Sequence, residues 1–260
     1  MTFTVDALDG QHIVISGGLG AIGMAVVAAL VRHGARVTVN DIVPVSEGES
    51  ALLEAGFDPS QARYGYGDLT QKLQVEALLD KAESYFGPVT TALCHAAVVK
   101  AAPLVDVAEA DWDNMLDVNL KAAFLLGQAA SRRMIAQGIH GQLIFTTSWV
   151  GAVPWPEIGP YSASKAGMNM LMRTFARELA DKGIRANAVA PGIVGAGMAL
   201  KQWNTEPDYK RRASKAIPLG ELQSPESVAD AFVFLCSPAS RYMTGSVLLV
   251  DGGCSLYPMD

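Results

Sequence analysis

Short apolar runs of strand-forming residues recur along the 260-residue chain: HIVIS (12–16), ARVTVN (35–40), TALC (91–94), QLIFTT (142–147), RANAVA (185–190) and SVLLV (246–250). Longer segments with apolar residues at helical spacing lie between most of them; Leu116, Leu120, Ala123, Phe124 and Gly127 are one example. Strands that alternate with helices are joined by crossovers, which make neighbouring strands parallel. The runs show little polar alternation, as expected of strands buried on both faces. These features predict an α/β fold in which a doubly wound parallel sheet carries helices on both faces and binds ligands beyond the carboxyl ends of its strands.

Length and composition narrow the reading. A mass of 27.5 kDa and the absence of repeats or low-complexity stretches suit one domain over 1–260. A net charge of −6 and a pI near 5.2 exclude a basic surface for nucleic acid. Cys94, Cys236 and Cys254 are an odd number in a chain that needs no staple, so reduced thiols and a reducing compartment are expected. The start, MTFTVDALDGQH, has neither the basic nor the apolar region of a signal peptide. Met24 to Val31, the longest apolar run, is far short of the roughly 18 residues a membrane span needs. A cytoplasmic protein without membrane contact is the expectation.

The first run leads into SGGLGAIG (16–23), whose glycines read in two registers. Gly18, Gly20 and Gly23 spell GxGxxG, while Gly17 and Gly23 nearly spell GxxxGxG with Ala21 at the middle position. Either register permits a tight reversal, and a helix opening near Ala21 points unpaired N–H groups at a phosphate. The sheet is then of the Rossmann type. The second run ends at Asn40-Asp41, and Asp41 stands 18 residues past Gly23. A carboxylate that accepts the adenosine ribose hydroxyls is expected at a spacing of about 20. Asp41 repels a 2′-phosphate and neither Leu19 nor Asn40 offers a cation, so the predicted cofactor is NAD rather than NADP.

The later stretch SWVGAVPWPEIGPYSASKAG places Tyr161 and Lys165 at i and i+4, on one helix face, with Ser148 at the end of the preceding strand. A phenol is too weak an acid to serve as a neutral-pH base unaided, but a neighbouring ammonium and a positive nicotinamide both favour phenolate. Tyr161 is the candidate general base.

With Gly17, Gly23, Asp68-Leu69, Asn119 in DVNLKAAF, Ser148, YSASK (161–165), NAVAPG (187–192) and TGSVLLVDGG (244–253) in this order, the chain resembles the short-chain dehydrogenase/reductase family over essentially its whole length. The resemblance implies that Tyr161 takes the substrate hydroxyl proton and that Lys165 lowers its pKa and holds the nicotinamide ribose. Ser148 would bond the reacting oxygen, and Asn119 would connect a proton relay to water. It sets the glycine register from Gly17 to Gly23, with the Ala21 methyl weakening cofactor contact at most. Further cofactor contacts are implied for Leu19, Gly20, Ile22, Asp41, Asp68, Leu69, His95, Ala96, Tyr161, Lys165 and Ile193, and no metal. A homotetramer is implied, with the C-terminal CSLYPMD at a subunit contact.

Two further departures stand out. Cys94-His95-Ala96-Ala97 replaces the family's Asn-Asn-Ala-Gly, and Ala196 stands where a Thr usually follows Pro-Gly. The variable segment 195–216 is expected to form a mobile lid. Trp112 lies in a helical pattern and is expected in the core or an interface, and Trp203 lies in the lid. Ser148, Trp149, Trp155 and Tyr161 are expected to touch substrate. The loops VPWPEIGPYSASKAG, IPLGELQSPESVA and VDGGCSLYP resemble the sugar-dehydrogenase branch of the family, which implies oxidation of a sugar or similar polyhydroxylated alcohol. An acidic sugar would be met by Lys100 or by lid residues Lys201, Lys210, Arg211, Arg212 or Lys215. Reduction of 3-oxoacyl thioesters or other small carbonyls, oxidation of a cyclic diol, and a non-catalytic nucleotide-binding scaffold are the alternatives.

Overall fold

The computed structural model describes residues 7–256. Its strands are β1 (His12–Ser16), β2 (Arg36–Asp41), β3 (Ala62–Tyr66), β4 (Thr91–Cys94), β5 (Gln142–Thr146), β6 (Arg185–Pro191) and β7 (Val247–Val250). They form one sheet in the order β3-β2-β1-β4-β5-β6-β7, with every pair parallel. The order reverses between β1 and β4, which opens a crevice at the carboxyl ends of those strands. Six strands fall where the apolar runs put them. The edge strand β3 was not expected, because Arg63 and Gly65 interrupt its apolar residues. Pairing with β2 holds it, together with Tyr64, whose hydroxyl donates to the Asp41 and Val43 carbonyls at 2.8 and 2.7 Å.

The helices are α1 (Ala21–Arg32), α2 (Val45–Glu54), α3 (Lys72–Phe86), α4 (Glu109–Leu116), α5 (Ala122–Ala136), α6 (Gly159–Leu179), α7 (Gly197–Thr205), α8 (Pro207–Ala216) and α9 (Pro225–Cys236). Strand side chains divide between two cores by the period of two. Ile13 and Ile15 of β1 join α1 and α9 residues such as Val26, Leu30 and Phe232. Val14, between them, joins the other face with Leu78 of α3, Leu126 of α5 and Met168 of α6. In β5, Ile144 and the pair Leu143/Phe145 split the same way.

Between α4 and α5 the helix widens into a π-turn over Asp117–Lys121, which buries Asn119 completely. Single π-turns of this kind recur at functional sites. Segment 195–216 is mostly helical, α7 and α8 being separated by Glu206 alone. Trp112 on α4 is 38% exposed, so it is not a core residue. The three cysteines are buried and unpaired. Among the described residues no helix is long and apolar enough to cross a membrane. Of the C-terminal CSLYPMD, residues 257–260 lie outside the described residues.

Candidate active site

Local geometry brings β5 and α6 together. Thr147 N donates to the Val189 carbonyl at 2.8 Å, which extends the β5 direction to Ser148. Ser148 is extended and caps a short turn, its Oγ accepting from Val150 N at 3.4 Å. Gly151 then allows α6 to approach closely, since a Cβ there would stand 3.1 Å from the Lys165 carbonyl group. Pro160 sits in the first turn of α6, where its fixed φ suits the helix and its missing N–H costs nothing. Tyr161 and Lys165 therefore lie one turn apart, facing the end of β5.

Lys165 is almost fully buried, and its Nζ donates to the Thr146 carbonyl at 2.7 Å. The same Nζ stands 5.4 Å from the centre of the Tyr161 ring. Burial lowers the Lys165 pKa to about 7 and raises that of Tyr161 to about 12, the latter opposed by a hydrogen bond from Ser148. Both shifts follow from the cost of an isolated charge away from water. Burial thus favours the neutral phenol and pushes the amine towards its neutral form. A positive charge entering beside Tyr161 would favour the phenolate.

His95 follows β4, its Nδ1 paired with Thr146 Oγ1 at 2.9 Å. Burial, and secondarily the Lys165 charge, lowers its pKa to about 4, so the imidazole is neutral. It is a packed, hydrogen-bonded histidine edged against Phe232. The N–H groups of His95 and Ala96 both donate to Ser16 Oγ, at 2.9 and 3.0 Å, which ties this loop to the end of β1. Asn119 does the same from the other side. Its Oδ1 accepts from Val98 N at 2.8 Å, and its Nδ2 donates to the Val98 carbonyl at 2.9 Å and to Ser164 Oγ at 3.1 Å. Its side chain is thereby fully engaged.

At the glycine-rich turn, a Cβ at Gly17 would stand 2.7 Å from Ala96 Cα, at Gly18 2.6 Å from Val39, and at Gly23 2.6 Å from the Gly17 carbonyl oxygen. Gly20 is different: its nearest atom would be 3.5 Å away, and it is exposed. The two sequence registers thus share the job, since Gly17, Gly18 and Gly23 shape the turn while Gly20 keeps an open face. Ala21 is exposed at the first position of α1, so its methyl crowds no protein atom. No side chain caps this helix end. Asp41 stands beside it, Oδ2 accepting from Leu19 N at 3.3 Å and Oδ1 from Ile42 N at 2.8 Å. Asp68 Oδ1 accepts from Thr70 N and Oγ1 at 3.0 and 2.8 Å, and the Leu69 side chain is buried in the core.

A cavity of about 240 Å³ opens in front of Ser148 and Tyr161. Trp149 and Trp155, the expected substrate contacts, line it, and so do Ile22 and Ile193, which the resemblance assigns to the cofactor. Sequence reasoning missed Val99, Ile158, Met198, Ala199, Gln202 and Tyr209. Nothing in their spacing marks them: Met198, Ala199, Gln202 and Tyr209 reach the cavity through the placement of α7 and α8, and Val99 and Ile158 through the loops after β4 and before α6. None of the described residues lining the cavity is charged. Lys100 pairs with Asp111 at 2.6 Å, Arg211 with Asp208 at 3.0 Å and Arg212 with Glu157 at 3.4 Å. Lys210 stands 5.4 Å from the centre of the Trp203 ring, while Lys201 and Lys215 are exposed. The cations expected to meet an acidic substrate are thus engaged elsewhere or turned to solvent. Among the described residues there is no cluster of three or more His, Cys, Asp or Glu fit to hold a metal.

The family model described as enoyl-(acyl carrier protein) reductase matches residues 17–255. A 3beta-hydroxysteroid dehydrogenase of Eggerthella lenta is 33% identical over 256 residues, 97% of each chain. The 3-oxoacyl-(acyl-carrier-protein) reductase FabG of Thermotoga maritima is 34% identical, over 95% of this chain and 98% of that protein. The crystal structure of a short-chain type dehydrogenase/reductase from Mycobacterium marinum is 30% identical and superposes with a TM-score of 0.87 over 97% of this chain and 98% of that one. With the glycine-rich turn, the Ser-Tyr-Lys set and the parallel seven-stranded sheet, these matches establish that the chain belongs to the short-chain dehydrogenase/reductase family of oxidoreductases.

Proposed function

We propose that the chain is an NAD-dependent dehydrogenase that interconverts a secondary alcohol and its ketone. The observation that carries this reading is the convergence of Ser148 and Tyr161 on the cavity, with Lys165 buried 5.4 Å from the Tyr161 ring centre. The residues present fit the cofactor: Gly20 keeps an open face beside an uncapped helix end, and the Asp41 carboxylate flanks it. When bound, NAD⁺ supplies the hydride acceptor and a positive charge near Tyr161. Tyr161 Oη would take the O–H proton of the substrate alcohol while the glycine-rich turn and Asp41 would hold NAD⁺ to accept the hydride of the same carbon, a balance of alcohol and NAD⁺ against ketone, NADH and a proton. Ser148 Oγ holds the reacting oxygen. Lys165, fixed to the β5 carbonyl, holds the ribose and, when protonated, favours the phenolate. The Asn119 side chain is spent on Val98 and Ser164, which leaves only its main-chain groups for a relay to water. Helices α7 and α8 form the lid. The reading is tested by NADH absorbance across a panel of sugars, cyclic diols and simple alcohols. Absence of both turnover and NAD⁺ binding would sink it.

Asp41 supports NAD over NADP, because a 2′-phosphate would stand against its carboxylate with no cation to offset the repulsion. NAD⁺ is expected to give the higher kcat/KM. Asp41→Ser should raise kcat/KM with NADP⁺ by about tenfold or more, since repulsion between close charges at a wet surface is worth on the order of 1–2 kcal/mol. Equal use of the two cofactors by the unmodified protein would contradict the assignment.

A sugar is the second substrate reading, and the loop resemblance around Trp155 and the C-terminal Asp-Gly-Gly favours it. For assembly we propose a homotetramer. Leu116, Leu120, Phe124 and Leu171 line an apolar groove on the surface of the helices flanking the π-turn, and Leu249 on the edge strand β7 is 46% exposed. Light scattering should give about four times the chain mass, and Phe124→Glu should lower it. A monomeric mass for the unmodified protein would refute the assembly.

A further inference from the structure

Resting on the dehydrogenase reading, we propose that the substrate is a compact, uncharged secondary alcohol built mainly of hydrocarbon, with Trp155 as the wall that selects it. The cavity offers few polar groups beyond the reacting pair. Thr146 Oγ1 is committed to His95, and Thr147 Oγ1 donates to the Val189 carbonyl at 3.3 Å. The Gln202 amide nitrogen donates to Glu206 at 3.3 Å. The Gln202 amide oxygen, the Tyr209 hydroxyl and the indole N–H groups remain, against walls of Val99, Val150, Ile158, Ile193, Met198 and Ala199. A sugar ring would bring several further hydroxyls, and each one left unpaired costs on the order of tenfold in affinity. An anion would enter a chamber with no charged wall.

Trp155 is held rigidly. Its ring meets Trp149 edge-on at 5.3 Å and Tyr209 at 6.5 Å, and the Arg212 guanidinium stands 5.3 Å from its centre. Of the lid cations, Arg212 stands against the Trp155 wall, where it pairs with Glu157 and is not part of the lining. Size points the same way. A cavity of about 240 Å³ falls below the usual range for drug-sized ligands of roughly 300–1,000 Å³. Its end formed by Ile22, Gly192 and Val194 lies beside the glycine-rich turn. One or two rings fit this space better than a four-ring skeleton or an acyl thioester.

The test compares cyclohexanol, 1-indanol and 2-tetralol with glucose, glucuronate, a 3-hydroxyacyl thioester and a 3β-hydroxysteroid, all with NAD⁺. Glucuronate matters because Arg212 Nε is buried without a partner. The best of the first three should exceed every one of the others in kcat/KM by at least tenfold; a higher value for any of the others overturns the proposal. Binding is read separately by calorimetric titration of 1-indanone into protein loaded with NAD⁺, a pairing that cannot turn over. Trp155→Ala should weaken that binding and raise the KM for 1-indanol by at least tenfold, while Trp155→Phe should restore both to within about threefold. Unchanged binding and KM in a folded Trp155→Ala protein would remove Trp155 as the selecting wall. If 1-indanone binds tightly while no alcohol of any class turns over, the dehydrogenase reading fails and the pocket chemistry stands. If glucose turns over best, the substrate inference fails and the dehydrogenase reading stands.

Discussion

Tyr161→Phe is expected to reduce kcat by about 10³-fold at neutral pH, within the range that positioned acid–base groups contribute. The change removes one oxygen from a ring that otherwise keeps its place on α6 beside Ile158 and Trp149, so packing survives. NAD⁺ affinity should stay within about twofold, because the glycine-rich turn and Asp41 are untouched. Stopped-flow NADH formation and a separate NAD⁺ titration measure the two quantities. Residual activity above about a tenth of the parent would move the base elsewhere. His95 would then be the first group to examine, since its neutral ring reaches Lys165 through Thr146.

The second large effect is expected from Lys165→Met. Burial has already brought the amine down to about 7, and in its protonated form it adds, beside the Ser148 hydrogen bond, a positive charge that would favour the Tyr161 phenolate. Without it, kcat at pH 7 should fall by about 100-fold, equivalent to two pKa units of lost phenolate stabilisation. The activity profile should shift to higher pH, with part of the lost rate recovered near pH 10. Thermal stability should hold or rise, because a methionine of similar length replaces a buried amine that bonds a single carbonyl. Loss of activity together with loss of the folded baseline would instead assign Lys165 a structural role.

What could be read in the sequence was local. Tyr161 and Lys165 share a helix face by spacing alone, and Ser148 ends a run too apolar to be anything but a central strand. The glycine turn was legible as a turn, but the share of each glycine was not. Gly18 is required by Val39 and Gly17 by Ala96, both contacts across strands distant in sequence. β3 escaped because its inward residues, Ala62 and Tyr64, are separated by Arg63 and followed by Gly65, a pattern that makes sense only beside β2. Of the lid cations, Arg212 looked available for an anion because its partner lies far off in the chain. Glu157 and Arg212 are 55 residues apart.

The third apolar cluster, which joins Trp149, Trp155, Ile193, Tyr209, Ala213 and Ile217, stands apart from the two cores that clamp the sheet. It meets the reacting groups through the 148–161 stretch, where Val150 N donates to Ser148 Oγ and Tyr161 packs against the cluster. Part of the cavity wall is carried by α7 and α8, on elements separate from those that hold the reacting groups. Substitutions at Met198, Ala199, Gln202 or Tyr209 leave the strand ladders beneath Ser148 untouched. Such an arrangement lets a lineage, or a laboratory library confined to these walls, exchange one alcohol for another while the hydride-transferring machinery is inherited intact.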